Sequence, residues 1–147
     1  MFSLFSKKKR YYGRLIDIME TNRHQEGEVT VSQYSIVLHN SQTVVGDCDL
    51  RVGMNDELYY AGNIGYNIIY NYRGNGYAYE ACRLLFEVAK EKFHMKELII
   101  TCSPDNIASR KTLERLSGVY CETTPVPSSH WLYKRGEMVK NIYRYTL

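Results

Sequence analysis

Asn71-Tyr72-Arg73-Gly74-Asn75-Gly76-Tyr77-Ala78 is the stretch on which the reading of this chain turns. The two glycines let backbone come close to a ligand. The segment also runs straight into a helical pattern, so its N–H groups would stand at a helix N-terminus, where unpaired donors and the helix dipole favour an anion. Arg73 can add charge-assisted hydrogen bonds to phosphate oxygens. A pyrophosphate-bearing cofactor suits such a loop. So does a plain glycine turn joining strand to helix, and the octapeptide alone leaves both readings open.

Downstream, Ala78, Ala81, Cys82, Leu85, Val88, Ala89 and Phe93 recur at helical steps between Gly76 and Phe93, which predicts a helix with one buried stripe. Glu97–Cys102 is short and almost wholly apolar, a central strand. Ser103–Asn106 is loop, and Ile107–Leu116 a second helix ended near Gly118. Val119–Thr123 and Val139–Leu147 read as strands, with a loop at Pro125 and Pro127 between them. Upstream, Gln33–Asn40 alternates with Tyr34, Ile36 and Leu38 on one face, Thr43–Val52 returns as its partner, and Leu58–Tyr70 gives a longer third strand. Gly13–Glu20 suits a strand or the start of a short helix. Short turns between successive strands favour antiparallel pairing. The expected fold is α+β, a mixed, mostly antiparallel central sheet with flanking helices.

With 147 residues, of which 44% are hydrophobic and 24% charged, the chain suits one globular domain and excludes collagen-like, disordered and disulfide-scaffold classes. No apolar run reaches the roughly 18 residues of a membrane span, so no stable membrane association is expected. The net charge of +3 is local in origin: Lys7–Arg10 supply four of the 19 basic residues, leaving 15 against 16 acidic ones. A balanced body argues against nucleic-acid binding by phosphate neutralisation. Residues 1–10 read as a basic, solvated extension to a single domain over 11–147; the alternative joins Lys7–Arg10 to Phe2, Leu4 and Phe5 as a weak contact with an anionic surface. The order of charges and apolar residues does not fit a signal peptide. Cys48, Cys82, Cys102 and Cys121 form no CxxC, the four histidines are scattered, and no HExxH, GxSxG or P-loop pattern occurs. No metal site is expected, and a cytoplasmic chain with reduced thiols is.

The octapeptide satisfies the pattern Arg/Gln-x-x-Gly-x-Gly/Ala of the GCN5-related N-acetyltransferase (GNAT) superfamily, with Arg73, Gly76 and Ala78 at the defining positions. Asn106-Ile-Ala-Ser-Arg-Lys-Thr-Leu-Glu114 resembles the Asn-x-x-Ser helix of its ribosomal-protein N-terminal branch, and Gly62–Tyr70 looks like that branch's fourth strand. Order and separation match over about residues 33–120. The resemblance implies an acetyl-CoA-dependent N-acetyltransferase acting by direct transfer on a primary amine of a small molecule or a peptide N-terminus. It implies a V between the strand before the motif and the strand after its helix. A pantetheine arm would lie in that V along the main chain of Asn67 and Ile68. The pyrophosphate would be held by Arg73, Gly74, Asn75, Gly76, Tyr77 and Ala78, with Asn106 and Ser109 at the thiol end and Arg110 toward the nucleotide.

The chain also departs from that pattern. Leu113 stands where many relatives carry a tyrosine acid, and Thr101 where several carry a glutamate. Ser109 is the candidate catalytic group, with a cofactor or helix contact as its other reading. Tyr72, Tyr77 and Tyr120 are further candidate acids. Asp47, Asp49 and Glu80 are read either as solvated surface carboxylates or as a base acting through water. The N-terminal helical region is shortened: only a polar loop, Thr21–Ser32, takes the place of the two helices that shape the family's acceptor site, leaving this loop, the Pro125–Pro127 loop and a second subunit to build it. A homodimer is expected from base rates alone. The rival function is a non-catalytic acetyl-CoA-binding module.

Overall fold

The computed structural model describes residues 9–147. Eight strands and four α-helices follow in the order β1 (Arg10–Tyr12), β2 (Ile16–Glu26), β3 (Val29–Leu38), β4 (Val44–Val52), α1 (Asp56–Ala61), β5 (Ile64–Ile68), α2 (Tyr77–Glu91), β6 (Glu97–Cys102), α3 (Ile107–Arg115), β7 (Val119–Pro125), α4 (Trp131–Lys134) and β8 (Val139–Thr146). Strands β1 to β5 form one sheet in chain order, every pair antiparallel; the second sheet has the order β6-β8-β7, also antiparallel. The expected α+β fold is therefore present, divided into two hydrogen-bonded sheets.

The division is at β5 and β6. These neighbours meet at Asn63, whose N–H donates to Ile99 O at 2.7 Å while its Oδ1 accepts from Ile99 N–H at 2.8 Å. Its Nδ2 donates to Arg51 O and Gly53 O, at 2.8 and 2.9 Å. Fully buried, Asn63 thus has all its polar groups satisfied and pins both sheets together at one point. Beyond it the strands are not paired, and a V opens.

Helix α2 packs across β2, β4 and β5, and α3 against β6 and α2. The stripe on α2 comes out as expected: Ala81, Cys82, Leu85, Val88 and Ala89 are buried, with Leu84 added. They meet Ile16, Ile18, Ile36 and Leu50 of the first sheet and Leu98 and Ile100 of the second in one core. Three of the four cysteines are buried there as small apolar groups and Cys121 is exposed, all of them free thiols.

Three sequence expectations are corrected. Leu58–Tyr70 is no single strand: Asp56–Ala61 is helical because Asn55 caps it, its Oδ1 accepting from Leu58 N–H at 2.9 Å, and Asp56 and Glu57 fill the first turn. Gly62 then turns the chain at φ 82° into β5. Thr21–Ser32 is no polar loop but a β-hairpin arm turning at Gly27, with β2 running to Glu26 and β3 beginning at Val29. Its polar side chains bond each other across the arm, as Asn22 does to Gln33 at 3.0 Å, while Val29 and Val31 bury against Leu58. The segment after Pro127 contains α4, capped by His130, whose Nδ1 accepts from Leu132 N–H. His130 Nε2–H donates to Glu57 O at 3.0 Å and ties α4 to α1.

Lys7 and Lys8, with Phe2, Leu4 and Phe5, lie outside the described residues. Arg10, read from sequence as part of the solvated extension, belongs to β1. It donates to Asp17 Oδ2 through Nε at 2.9 Å and Nη2 at 2.7 Å, and to Ser41 O at 2.8 Å. Asp17 is fully buried and also accepts from the N–H groups of Gly13 and Asn40 and from His39 Nδ1. Burial pushes its carboxyl upward, and the hydrogen bonds from His39, Asn40, Arg10 and Gly13 outweigh that, so its pKa lies below the ordinary value. This network fastens β1 and the β3–β4 turn to β2.

Candidate functional site

The loop from Arg73 to Gly76 has a conformation that its glycines permit. Gly74 at φ 83° and Gly76 at φ 78° are both left-handed. A Cβ on Gly74 would meet nothing within 4 Å, so the loop's outer side is open. Gly76 is the N-cap of α2 and offers no side chain, whereas Asn55, Asn106 and His130 cap the other three helices. Among the described residues, no protein acceptor takes the N–H groups from Gly74 to Tyr79. They form a row of free donors at the positive end of a 15-residue helix.

Those donors open onto a cleft of about 370 Å³ between β5, the motif loop and the start of α3. Of the residues named from sequence, Asn67, Ile68, Arg73, Gly74, Gly76, Tyr77, Ala78, Asn106 and Ser109 line it. Asn75 does not; its Nδ2 turns inward and donates to Tyr72 O at 3.0 Å, bracing the loop. Arg110 does not line it either. That residue is on the Tyr143 side of α3; from the same helix Lys111 lines the cleft, and Arg115 stands beside the motif loop. A guanidinium nitrogen of Arg115 stands 3.5 Å from where a Gly76 Cβ would be, and the group lies 3.8 Å from the Tyr79 ring centroid. Arg14 and Arg83 join it around a recess behind the loop. Nothing in the linear sequence separates Arg115 from Arg110; only the helix phase does.

The register of β5 decides which backbone is free. Arg51 N–H donates to Asn63 O and Ile69 N–H to Val45 O, so the odd-numbered residues from 65 to 69, with the Asn63 carbonyl, turn their peptide groups to β4. The Asn67 main chain is thereby committed to the ladder. Tyr66 and Ile68 turn theirs into the V, where Arg73 Nε donates to Ile68 O at 2.8 Å. The free rail is thus the Tyr66 peptide groups and the Ile68 N–H, one residue out of phase with the expectation.

At the α3 side, Asn106 Oδ1 accepts from Ser109 N–H at 3.1 Å, and Ser109 Oγ accepts from the Tyr66 hydroxyl at 3.1 Å. Tyr66 was missed from sequence, where it looks like one more packed strand tyrosine among 14. Among the candidate acids, Tyr72 and Tyr77 line the cleft, while Tyr120 lies on β7 with its hydroxyl on Thr123 Oγ1. Leu113 is fully buried, and its carbonyl accepts from the Tyr145 hydroxyl. Thr101 Oγ1 donates to Tyr60 O at 2.7 Å.

The three carboxylates differ in role. Glu80 is no solvated group: its Oε2 accepts from the N–H groups of Arg14, Leu15 and Ile16 at 2.8 to 2.9 Å and binds the β1–β2 turn to α2. Asp47 is exposed. Asp49 is partly buried and accepts from Arg51 Nε at 2.9 Å; burial pushes its carboxyl up, against the pull of Arg51. Asp47 and Asp49 pair with Asn67 and Gly65, so they face away from the Tyr66–Ile68 side. On that opposite face Asp49, Arg51, Glu57 and Trp131 line a second recess of about 280 Å³.

Compared with known proteins, residues 5–118 match the acetyltransferase (GNAT) domain family. No curated protein matches the chain. Among solved structures, a GNAT-family acetyltransferase from Bacillus anthracis is similar at TM-score 0.62 and 18% identity, over 78% of this chain and 65% of that one. RimL, a ribosomal L7/L12 α-N-protein acetyltransferase in complex with coenzyme A, is similar at TM-score 0.61 and 18% identity, over 80% of this chain and 62% of its own. The microcin C7 self-immunity acetyltransferase MccE, in complex with acetyl-CoA and AMP, gives 0.59 and 18%, over 80% and 61%. The likeness is one of fold, and this chain spans less than two thirds of each neighbour's length.

Proposed function

The chain belongs to the GNAT acetyltransferase family, and from that premise we propose that it moves the acetyl group of acetyl-CoA to a primary amine, on a small molecule or a peptide N-terminus, by direct attack. The observation that carries this reading is the uncapped N-terminus of α2 opening onto the cleft of the V. A pyrophosphate suits the free N–H groups from Gly74 to Tyr79, since an anion there meets donors and the helix dipole together. Amide groups of a pantetheine arm suit the Tyr66 and Ile68 main chain. Asn106 holds the first turn of α3 so that Ser109 faces the cleft, where it would stand at the thioester end.

Acetyl-CoA supplies the activated acyl group. The protein's part is to hold it, bring an amine to it and offer donors where charge develops. None of the four cysteines lines the cleft, which favours direct attack over an acyl-enzyme. The recess on the opposite face is a separate entrance for the acceptor. Asp49, with its carboxyl raised by burial, is there the group suited to take a proton from an incoming ammonium, directly or through water. That entrance is built by β3, β4, α1 and Trp131, so the acceptor identity is that of this chain's own recess.

Turnover over a panel of amines, following release of free thiol, tests the reading. Arg73→Ala is expected to weaken acetyl-CoA by about 10- to 100-fold. Arg115→Ala should also weaken it, while Arg110→Ala and Lys90→Ala change it by less than about two-fold. Equal losses in all four would overturn the site. Acetyl-CoA binding with no turnover on any amine would favour the non-catalytic alternative.

A further inference from the structure

Ser109 on its own is a weak candidate for its role, because a serine hydroxyl is far too basic when ionised to give up its proton readily. Its surroundings alter what it can offer. Its N–H is taken by Asn106 Oδ1, and its Oγ accepts from the Tyr66 hydroxyl. Among the described residues no acceptor takes the one proton left on Ser109 Oγ, and both side chains line the cleft. Tyr66 reaches this point from β5 and Ser109 from α3, so the bond also spans two of the elements that flank the cleft.

In that bond the Tyr66 hydroxyl is the donor and Ser109 Oγ the acceptor. Tyr66 is pushed up to about 12, chiefly by burial, and so keeps its proton throughout the neutral range. A phenol that stays protonated keeps its O–H available to donate, and an oxygen that accepts a hydrogen bond is itself a stronger donor through its own proton. With the Tyr66 side occupied, the remaining O–H of Ser109 points to the open side, which is the cleft.

We propose that Tyr66 is a positioning residue: by donating to Ser109 Oγ it turns the single Ser109 hydroxyl proton into the cleft, where Ser109 hydrogen-bonds the sulfur that departs when the amine attacks. This rests on the reading of the cleft as an acetyl-CoA site. The claim concerns a hydrogen bond to sulfur as it gains charge, so it applies equally to the thiolate of free coenzyme A. It can therefore be tested without knowing the acceptor.

The experiment is calorimetric titration with coenzyme A and, in parallel, desulfo-coenzyme A, between pH 7 and pH 9, on the whole chain and on the Tyr66→Phe and Ser109→Ala variants. Thiolate absorbance of the bound coenzyme is read alongside. A donor aimed at sulfur favours the ionised thiol, and one unit of depressed thiol pKa corresponds to about a ten-fold tightening. With a free thiol near the ordinary ~8.5, only part of that factor is expressed between pH 7 and pH 9, and the unaltered protein should bind coenzyme A about five-fold more tightly at the higher pH, relative to desulfo-coenzyme A. Both variants should reduce that gain to about two-fold or less, with desulfo-coenzyme A binding unchanged within about two-fold, which also reports that they are folded. Retention of the full pH-dependent gain in Tyr66→Phe would overturn the positioning role alone. Retention in Ser109→Ala would overturn the sulfur contact. Absence of binding by either coenzyme form to the unaltered protein would overturn the cleft assignment, and this proposal with it.

Discussion

Asp17→Ala is expected to destabilise the protein by about 3–5 kcal/mol, the range for removing one partner of a buried ion pair. For a domain of this size that lowers the thermal midpoint by about 10 °C. The loss is large because Asp17 is fully buried and Arg10 retains only 12% side-chain exposure, so the guanidinium would be left inside without its carboxylate. The N–H groups of Gly13 and Asn40 would lose their acceptor as well. The same network sets a pH dependence. The Asp17 carboxyl lies below its ordinary 3.8 in the folded state, so its contribution is fully present above about that pH. It is lost as the pH falls through the lower, folded value. Denaturant unfolding of the variant against the unaltered chain, followed from neutral pH to pH 2.5, checks both statements. The difference between them should be constant at neutral pH and shrink in acid. A variant as stable as the parent would mean that Arg10 is not held inside.

Asn63→Leu is expected to cost about 2–3 kcal/mol, from three partly buried hydrogen bonds lost at roughly 1 kcal/mol each. Leucine has nearly the same shape, so packing changes little. What disappears is the acceptor for Ile99 N–H and the donors to Arg51 O and Gly53 O. Asn63→Asp should be no better: it keeps the acceptor but sets a carboxylate against two carbonyls. Because Asn63 pins the two sheets at the apex of the V, the loss is expected to reach the cleft, with weaker acetyl-CoA binding in molecules that remain folded. Equilibrium unfolding measures the first effect and calorimetry at low temperature the second. Full stability in both variants would show that the two sheets do not depend on this side chain.

How far the sequence foretells such a structure depends on whether the signal is local. Helix α2 and strand β6 are legible because burial marks them, through Ala81, Cys82, Leu85, Val88 and Ala89 in one case and the apolar run from Leu98 to Ile100 in the other, although β6 is an edge of its sheet and not the central strand expected. The motif loop is legible because left-handed backbone at Gly74 and Gly76 needs glycine. Helix α1 was hidden by Leu58, Tyr59 and Tyr60, residues that suit strands, although Asn55-Asp56-Glu57 carried a capping signal of its own. The hairpin arm is hidden because its exposed side carries cross-strand polar pairs such as Asn22–Gln33, and polar composition reads as loop. The Tyr66–Ser109 bond, the choice of Arg115 over Arg110 and the tethering of the β1–β2 turn by Glu80 depend on which residues meet across the fold. No window of sequence contains that information.

The uncapped start of α2 and the open V are proposed to form an acetyl-CoA site. Calorimetric titration of the purified chain with acetyl-CoA, beside desulfo-coenzyme A and ATP, tests it most directly. Micromolar binding of acetyl-CoA, much weaker binding of ATP, and a marked loss for acetyl-CoA in Arg73→Ala are expected. A folded protein that binds none of them would contradict it, and Arg73 to Ala78 would then be only a turn between a strand and a helix.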